Sequence, residues 1–347
     1  MLPELLVYDD IHFGQHVVPE GHPESAKRIL AARDGLNLFA HNGRADIRLN
    51  PVPVATEESL LRVHSPEHVY KVLALDGQRF DLDSETHVSP GTVGAARRAA
   101  GGAEAMALEL LAMRAKDGPR MGISMGRPPG HHATRNTAMG FCIFNNVAVA
   151  AAAARAAGAP RVAIVDWDAH HGNGTQDIFY RDPSVLYISV HNEKAWPFTG
   201  KPDHVGEGDG TGMNVNVSIP GGSGDDVYEE AFHRIVASVL GQFDPAILLV
   251  SAGYDSYVAD PVGGFSMNQG GFRRMASILE KAVSVDCPIG LVLEGGYDLG
   301  GLATCLASSL DGLFPEKRKR VHKMLSEDEK SSLDRVERSI NNWWHLD

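Results

Sequence analysis

The sequence RVAIVDWDAHHG at residues 161–172 decides the fold, because an uninterrupted apolar run passes directly into acidic and imidazole side chains. A short run rich in β-branched residues is typical of a strand buried on both faces of a parallel sheet. Side chains two apart on an extended chain share a face, so Asp166, Asp168 and His170 are expected to project together. Ligands of open α/β sheets bind at the carboxyl ends of the strands. The stretch therefore predicts an α/β fold with a polar site at one sheet edge, although taken alone it also fits a capping aspartate before a solvated His-His pair.

The rest of the chain alternates short apolar runs with long amphipathic or Ala-rich stretches, a pattern typical of strands joined by crossover helices. The predicted strands cover residues 4–8, 162–167, 185–190, 246–251 and 289–293, and a further strand-like run at 214–219 interrupts a loop rich in Gly and Asp. The predicted helices cover residues 23–38, 91–113, 145–157, 227–242, 269–285 and 302–313. We predict one α/β domain with a mainly parallel central sheet flanked by helices.

Length and composition set the domain organisation and exclude some partners. The 347 residues show no repeat or low-complexity linker, so we expect a catalytic domain over 1–315 and a C-terminal helical extension over 316–347 packed on it. A basic cluster at 317–323 begins that extension. The formal charge of −12 disfavours nucleic acid and attracts cationic substrates.

The cysteines and the apolar runs bear on location. Three widely spaced cysteines predict no disulfide framework. The chain shows no signal peptide and no run near the ~20 apolar residues that span a bilayer. We therefore expect a cytoplasmic protein without a membrane partner.

A second strand, in the sequence AILLVSAGYDS at 246–256, also ends in an acid, Asp255. Asp168, His170 and Asp255 would make three protein ligands with an open position, which describes a catalytic zinc-type site. The hard Asp-His-Asp donors leave Fe(II) and Co(II) as alternatives to zinc. A strand-end aspartate by itself is more often a helix cap, so Asp255 depends on its partners.

Two further segments add titratable groups. In RPPGHHA at 127–133, a rigid turn presents His131 and His132, which titrate near neutral pH and suit acid and base roles. In LEGGY at 293–297, a strand breaks at two glycines before Tyr297, whose hydroxyl can donate to a developing oxyanion. The alternatives are solvated loop histidines and a half-buried tyrosine.

In their order and spacing, these four segments resemble the histone deacetylase and acetylpolyamine amidohydrolase superfamily, from about Tyr8 to about Leu313. Further matches are HPE at 22–24 with Arg28, VHSPEH at 63–68 and HGNGTQ at 171–176. The resemblance implies a single arginase-like α/β domain with a mainly parallel sheet of about eight strands. It implies that the metal ligands are Asp168, His170 and Asp255.

The resemblance also assigns roles around the metal. Tyr297 becomes the oxyanion donor, and His132 becomes the general base and acid. His131 becomes its electrostatic neighbour, oriented by Asp166. Asn173, the partner of His132, stands where class I deacetylases carry Asp, so the chain is more similar to class II relatives; an amide stabilises imidazolium less than a carboxylate does.

Potassium is a second expectation from the resemblance, as a structural ion beside the catalytic one. One potassium site would involve Asp166, Asp168, His170 and Ser189. A second would involve Phe179, Asp182 and Val185.

A narrow aromatic channel for the alkyl stem of the substrate follows from the same resemblance. Phe141, beside Gly140, and Trp196 occupy the matching positions, and Phe198 is expected to share the wall. Trp196 stands at a position where Phe is the commoner residue in that superfamily. Val262 stands where polyamine-specific relatives carry a gatekeeper Glu, and residues 74–90 lack the insertion of bacterial acetylpolyamine hydrolases. Asp83 or Glu85 is a candidate for holding substrate at the rim.

The sequence thus predicts a zinc-dependent amidohydrolase that removes acetyl or other small acyl groups from lysine-like primary amines. An acetylpolyamine deacetylase is the alternative enzyme. A metal-holding acyl-lysine binding module is the alternative from another class, and the complete set of His131, His132 and Tyr297 argues against it. An arginase-like ureohydrolase would need a second metal and more acidic ligands. Whether the protein forms a homo-oligomer is left open.

Overall fold

The fold is organised by one sheet whose strands all run parallel. A computed structural model describes residues 2–114, 120–314 and 325–346. Its strands are β1 (Glu4–Tyr8), β2 (Asp46–Asn50), β3 (Phe80–Asp81), β4 (His87–Val88), β5 (Met121–Ser124), β6 (Val162–Asp166), β7 (Val185–Asn192), β8 (Asn214–Ile219), β9 (Ile247–Ala252) and β10 (Ile289–Leu293). Eight of them form the sheet in the order β2-β1-β5-β10-β9-β6-β7-β8, and β3 and β4 pair as a separate antiparallel hairpin.

Helices cover both faces of this sheet. Their bounds are α1 (Lys27–His41), α2 (Glu57–Leu61), α3 (Pro66–Leu73), α4 (Thr92–Arg114), α5 (Asn146–Ala156), α6 (Asn173–Phe179), α7 (Asp225–Ala231), α8 (Ala237–Phe243), α9 (Gln269–Ala282), α10 (Leu299–Leu313) and α11 (Glu327–Ile340). No helix among the described residues is long and apolar enough to cross a membrane.

Two hydrophobic layers follow from the alternation of side chains along each strand. On β1, Leu5 and Val7 pack into one layer and Leu6 and Tyr8 into the other. The first layer includes residues of α1, α9, α10 and α11, and the second includes residues of α4 and α5. Both faces of the central strands are therefore buried, which explains their continuous apolar sequences.

The predicted α/β fold with its parallel sheet is confirmed. Each predicted strand and helix exists, with ends shifted by a few residues. The helix predicted at 23–38 covers Lys27–His41, and Glu24 before it belongs to a buried ion cluster described below. The helix predicted at 227–242 begins at Asp225 and contains a π-helical segment, Phe232–Val236. Strands β2 and β5 were missed because one is largely polar and the other has four residues.

The C-terminal helix α11 packs on the edge of the sheet at β8. A capping box between Ser326 and Glu329 starts the helix. Its apolar face is buried, and Trp344 beyond it donates its indole N–H to the carbonyl of Gly212 at 2.8 Å. The basic cluster at 317–323 and the boundary expected at 315/316 lie outside the described residues, so the division of the chain there stays a prediction.

Replacing Ile340 with Ala should lower the free energy of unfolding by about 2–5 kcal/mol, because a fully buried side chain of α11 would leave a cavity. Chemical denaturation measures this change. Ser331→Ala, at an exposed position of the same helix, is the control and should change stability by less than about 0.5 kcal/mol. Equal, small effects of both substitutions would show that α11 contributes little to the stability of the domain.

Candidate metal centre and catalytic residues

The two predicted ligand segments meet because their strands are neighbours in the sheet. Strands β6 and β9 pair in parallel with Asp166 opposite Ser251, so both chains leave the sheet at the same edge. Asp168 and His170 follow β6, and Asp255 follows β9. One ligand atom from each of these three residues lies within 4.8 Å of the other two.

Backbone groups fix the ligand carboxylates in place. The amide of Ala169 donates to Asp255 Oδ1 at 2.8 Å, and the amide of Gly295 donates to Asp168 Oδ2 at 2.9 Å. His170 Nδ1 faces Asp255 Oδ2 at 2.8 Å. A Cβ on Gly253 would stand 2.1 Å from Asp168 Oδ2, so glycine is required for this close approach. The three donors are therefore oriented by the fold.

The charges at this edge suit a divalent cation. Asp166, Asp168, Asp255 and Glu294 are all buried. The pKa of Asp255 is raised mainly by burial and, after that, by the nearby Asp168 carboxylate. Burial also raises the pKa of Glu294, to about 7. Two carboxylates and an imidazole around one point are a common donor set for zinc and its neighbours in the first transition series. The residues present thus fit the metal predicted from the sequence.

His131 is placed to carry a positive charge. Its Nδ1 lies 3.0 Å from Asp166 Oδ2, which also accepts a hydrogen bond from the Tyr187 hydroxyl at 3.0 Å. Burial by itself would lower the pKa of His131, but the carboxylates of Asp166 and Asp168 raise it to about 10. His131 and Asp166 therefore form a buried ion pair.

His132 has the opposite character. Its ring centroid lies 3.9 Å from that of His131, and its Nδ1 lies 2.8 Å from the side-chain amide oxygen Oδ1 of Asn173. Burial, together with the imidazoles of His131 and His170, lowers the pKa of His132 well below its usual value. Since Nδ1 donates its proton to Asn173, Nε2 keeps a free lone pair. His132 is thus a neutral imidazole suited to accept a proton.

The segment carrying Tyr297 crosses the same edge after β10. Burial raises the pKa of Tyr297, so its hydroxyl stays protonated and able to donate. Arg28 donates from Nε to the carbonyl of Gly296 at 2.7 Å, and its guanidinium lies 5.0 Å from the Tyr297 ring centroid. Glu294 Oε2 accepts from the amide of Gly130 at 2.7 Å and from that of His131 at 3.1 Å. The tyrosine and tandem-histidine segments are therefore joined directly.

A buried ion cluster supports this arrangement. Glu24 Oε1 accepts from Arg28 at 3.0 Å and from Arg127 at 2.7 Å, and all three side chains are fully buried. Arg127 begins the turn that presents the tandem histidines. The HPE match at 22–24 therefore has a structural role behind the site.

Three of the predicted channel residues lie against the predicted catalytic groups. The Trp196 ring centroid lies 4.7 Å from that of His132, and the Phe141 centroid lies 5.8 Å from that of Tyr297. A Cβ on Gly140, whose φ is +56°, would stand 2.5 Å from the Trp196 ring. Phe198 is 72% exposed and Val262 is 37% exposed, so both belong to the surface. Their part in substrate binding stays a prediction.

The residues expected around potassium occupy two places. Ser189 lies beside Asp166 in the register of β6 and β7, and its Oγ lies 2.8 Å from His191 Nδ1. Val185 begins β7, and Asp182 Oδ1 accepts from the Ser184 amide at 2.8 Å. Potassium at either place stays a prediction.

Some residues of the site were not singled out from the sequence. Tyr187 alternates with apolar residues in a buried strand, where a phenol is indistinguishable from core packing until its hydroxyl is seen on Asp166. Asp260 lies in a loop between ordinary turn residues. Glu294 directly follows β10, just as Asp166 ends β6. This shared position at the sheet edge is the sequence feature that could have identified Glu294 as a site residue.

Comparisons with known proteins agree with this geometry. A family model described as the histone deacetylase domain matches residues 22–313. The histone deacetylase-like amidohydrolase of Pseudomonas aeruginosa is 38% identical over 289 residues, covering 82% of this chain and 73% of that protein. The human protein named polyamine deacetylase HDAC10 is 38% identical over 314 residues, covering 85% of this chain and 45% of that protein. The crystal structure of the HDA15 HD domain superposes with a TM-score of 0.88 at 34% identity, covering 99% of this chain and 95% of that one. The chain therefore belongs to the histone deacetylase family and is a hydrolytic deacetylase.

Proposed function

We propose that this deacetylase is a zinc enzyme that removes acetyl or other small acyl groups from lysine-like primary amines. The observation that carries the proposal is the place of His132 beside the Asp168, His170 and Asp255 cluster: its Nδ1 is bound to Asn173 Oδ1, and its ring centroid lies 6.1 Å from that of His170. A zinc ion bound by these three residues would act as a Lewis acid that polarises the acyl carbonyl and lowers the pKa of water.

The protein's own groups then divide the proton transfers. His132 Nε2 accepts a proton from the attacking water and later delivers it to the leaving amine. In its ion pair with Asp166, His131 holds a positive charge beside His132. This charge lowers the proton affinity of His132 and so favours transfer of the proton from His132 to the leaving amine. The hydroxyl of Tyr297 donates to the acyl oxygen as that oxygen gains negative charge.

The walls of the site favour a slender neutral stem ending in an acyl amine. Phe141 and Trp196 flank Tyr297 and His132 respectively, so apolar rings lie next to the reacting groups. By the resemblance, Val262 stands where polyamine-specific relatives carry a gatekeeper Glu, so we expect no carboxylate there for the second ammonium of a polyamine. We further propose structural potassium at the places described. We also propose a cytoplasmic location, which is favoured by three buried cysteines that form no disulfide.

Acetylpolyamine deacetylation is the second candidate function. It is favoured by the formal charge of −12 and by the similarity to a human protein named as a polyamine deacetylase. The lack of a carboxylate at Val262 favours the lysine-like substrate instead.

Asp255→Ala should abolish tight metal binding and hydrolysis together, because it removes one of three protein ligands. Metal analysis of the purified variant beside an activity assay measures both. Asp209→Ala, at an exposed position outside the site, is the control and should retain metal and activity. Stoichiometric metal with normal turnover in Asp255→Ala would refute the ligand assignment.

Tyr297→Phe should lower kcat by about 10²–10³-fold, because only the hydroxyl that donates in the transition state is removed. KM, metal content and the melting temperature should stay near wild type, since the ring is kept. Tyr70→Phe, at an exposed tyrosine, is the control. A variant with an intact fold and near-normal turnover would eliminate Tyr297 as a catalytic group.

Wild-type kcat/KM should be higher for a short acetyl-lysine peptide than for acetylspermidine or acetylputrescine, because Val262 offers no carboxylate to a second ammonium. Val262→Glu should shift the preference towards the polyamines. A panel of these substrates with metal-defined enzyme measures both effects. A wild-type preference for acetylpolyamines of about tenfold or more would favour the second candidate function.

A further inference from the structure

Backbone pairing of the segment that carries Tyr297 ends before the tyrosine. Residues 294–298 lie between β10 and α10, and the Glu294 amide donates to the Ala252 carbonyl at 3.1 Å while the Tyr254 amide donates to the Gly295 carbonyl at 2.9 Å. Gly296 within it adopts a φ of +124°, and a Cβ there would stand 3.0 Å from Tyr254 Cβ. Beyond Gly295, the position of the phenol therefore depends on the side chains that form hydrogen bonds with this backbone.

The Gly295 amide donates to Asp168, and beyond Gly295 two side chains of opposite charge hold the segment. On the carbonyl side, Arg28 donates to the backbone oxygens of Glu294 and Gly296. On the amide side, Asp260 Oδ2 accepts from the backbone N–H of Tyr297 at 2.6 Å and from that of Asp298 at 3.0 Å. Asp298 in turn caps α10 by accepting from the amide of Gly301 at 2.6 Å.

Asp260 is itself fixed within the loop that carries a metal ligand. Its other oxygen, Oδ1, accepts from the amide of Val262 at 3.0 Å, and its own amide donates to the carbonyl of Tyr257 at 2.9 Å. Tyr257 is bridged to Met267 across the loop. This loop begins at Asp255 and passes Val262, so one carboxylate connects the metal ligand, the rim and the oxyanion donor.

We propose that Asp260 is a positioning residue for deacetylation, which sets the Tyr297 hydroxyl against the acyl oxygen by holding the tyrosine's backbone amide to the Asp255 loop. The inference rests on the proposed role of Tyr297. Charged acceptors make stronger and better aligned hydrogen bonds to backbone amides than neutral ones do. Displacement of a catalytic group by about 1 Å can lower the rate by about 10²-fold.

The test is a double-mutant cycle between Asp260 and Tyr297 on the metal-loaded enzyme. Asp260→Asn should lower kcat on a short acetyl-lysine peptide by about 10- to 100-fold, with KM and metal content changed by less than about twofold. In the Tyr297→Phe background the same substitution should have almost no further effect on kcat, because the hydroxyl that Asp260 positions is already absent.

A matched control comes from Asp225, a carboxylate that accepts from the Asn268 amide at 2.9 Å and pairs with Arg274 away from the site. Asp225→Asn should lower the melting temperature without changing kcat. Asp260→Ser, which keeps a smaller neutral acceptor, is the second variant in case Asn destabilises the fold.

Several results would overturn the inference. An equal loss of kcat in the wild-type and Tyr297→Phe backgrounds would show that Asp260 acts on something other than the tyrosine. A kcat within about twofold of wild type for Asp260→Asn would show that its carboxylate is not needed. Failure of both Asp260 variants to fold would assign the carboxylate to stability. A severe loss in Tyr297→Phe beside normal Asp260 variants would leave the proposed function standing and refute only this inference.

Discussion

Buried negative charge at the ends of three adjacent strands is the constraint on which the rest of the site depends. Asp166 and Asp168 stand at the end of β6, Asp255 follows β9 and Glu294 follows β10, and β10, β9 and β6 are neighbours. Unpaired carboxylates in a dry interior are costly, so each must meet a cation or a set of N–H donors. The ion pair with His131 and the backbone amides meet part of that requirement, and Asp168, His170 and Asp255 together could hold a metal ion that meets more of it.

The same electrostatics separate the two histidines that are adjacent in sequence. His131 faces Asp166, whose carboxylate raises its pKa. His132 faces the side-chain amide of Asn173, and burial, together with the imidazoles of His131 and His170, lowers its pKa. Two chemically identical side chains thus receive different protonation states from their partners alone. The difference fits the proposed roles, in which His132 is the base and His131 carries a positive charge. Amide hydrolysis by water needs such a base.

Sequence reasoning succeeded where the local pattern and the tertiary position coincide. Apolar runs ending in Asp or Tyr predicted strands β6, β9 and β10 and the side chains at their ends, because parallel strands place those ends at one edge. It failed for the polar edge strand β2, where packing rather than hydrophobicity decides the conformation. It also failed for Tyr187 and Asp260, since their hydrogen bonds join segments that are distant in sequence, which no periodicity encodes.

Diffraction from crystals of the metal-loaded enzyme, with anomalous data collected at the zinc edge, tests the account most directly. The account predicts one zinc peak bonded to Asp168, His170 and Asp255 at about 2.0–2.2 Å, with a position left open towards His132 and Tyr297. A peak elsewhere, or a fourth protein ligand closing the coordination sphere, would contradict it.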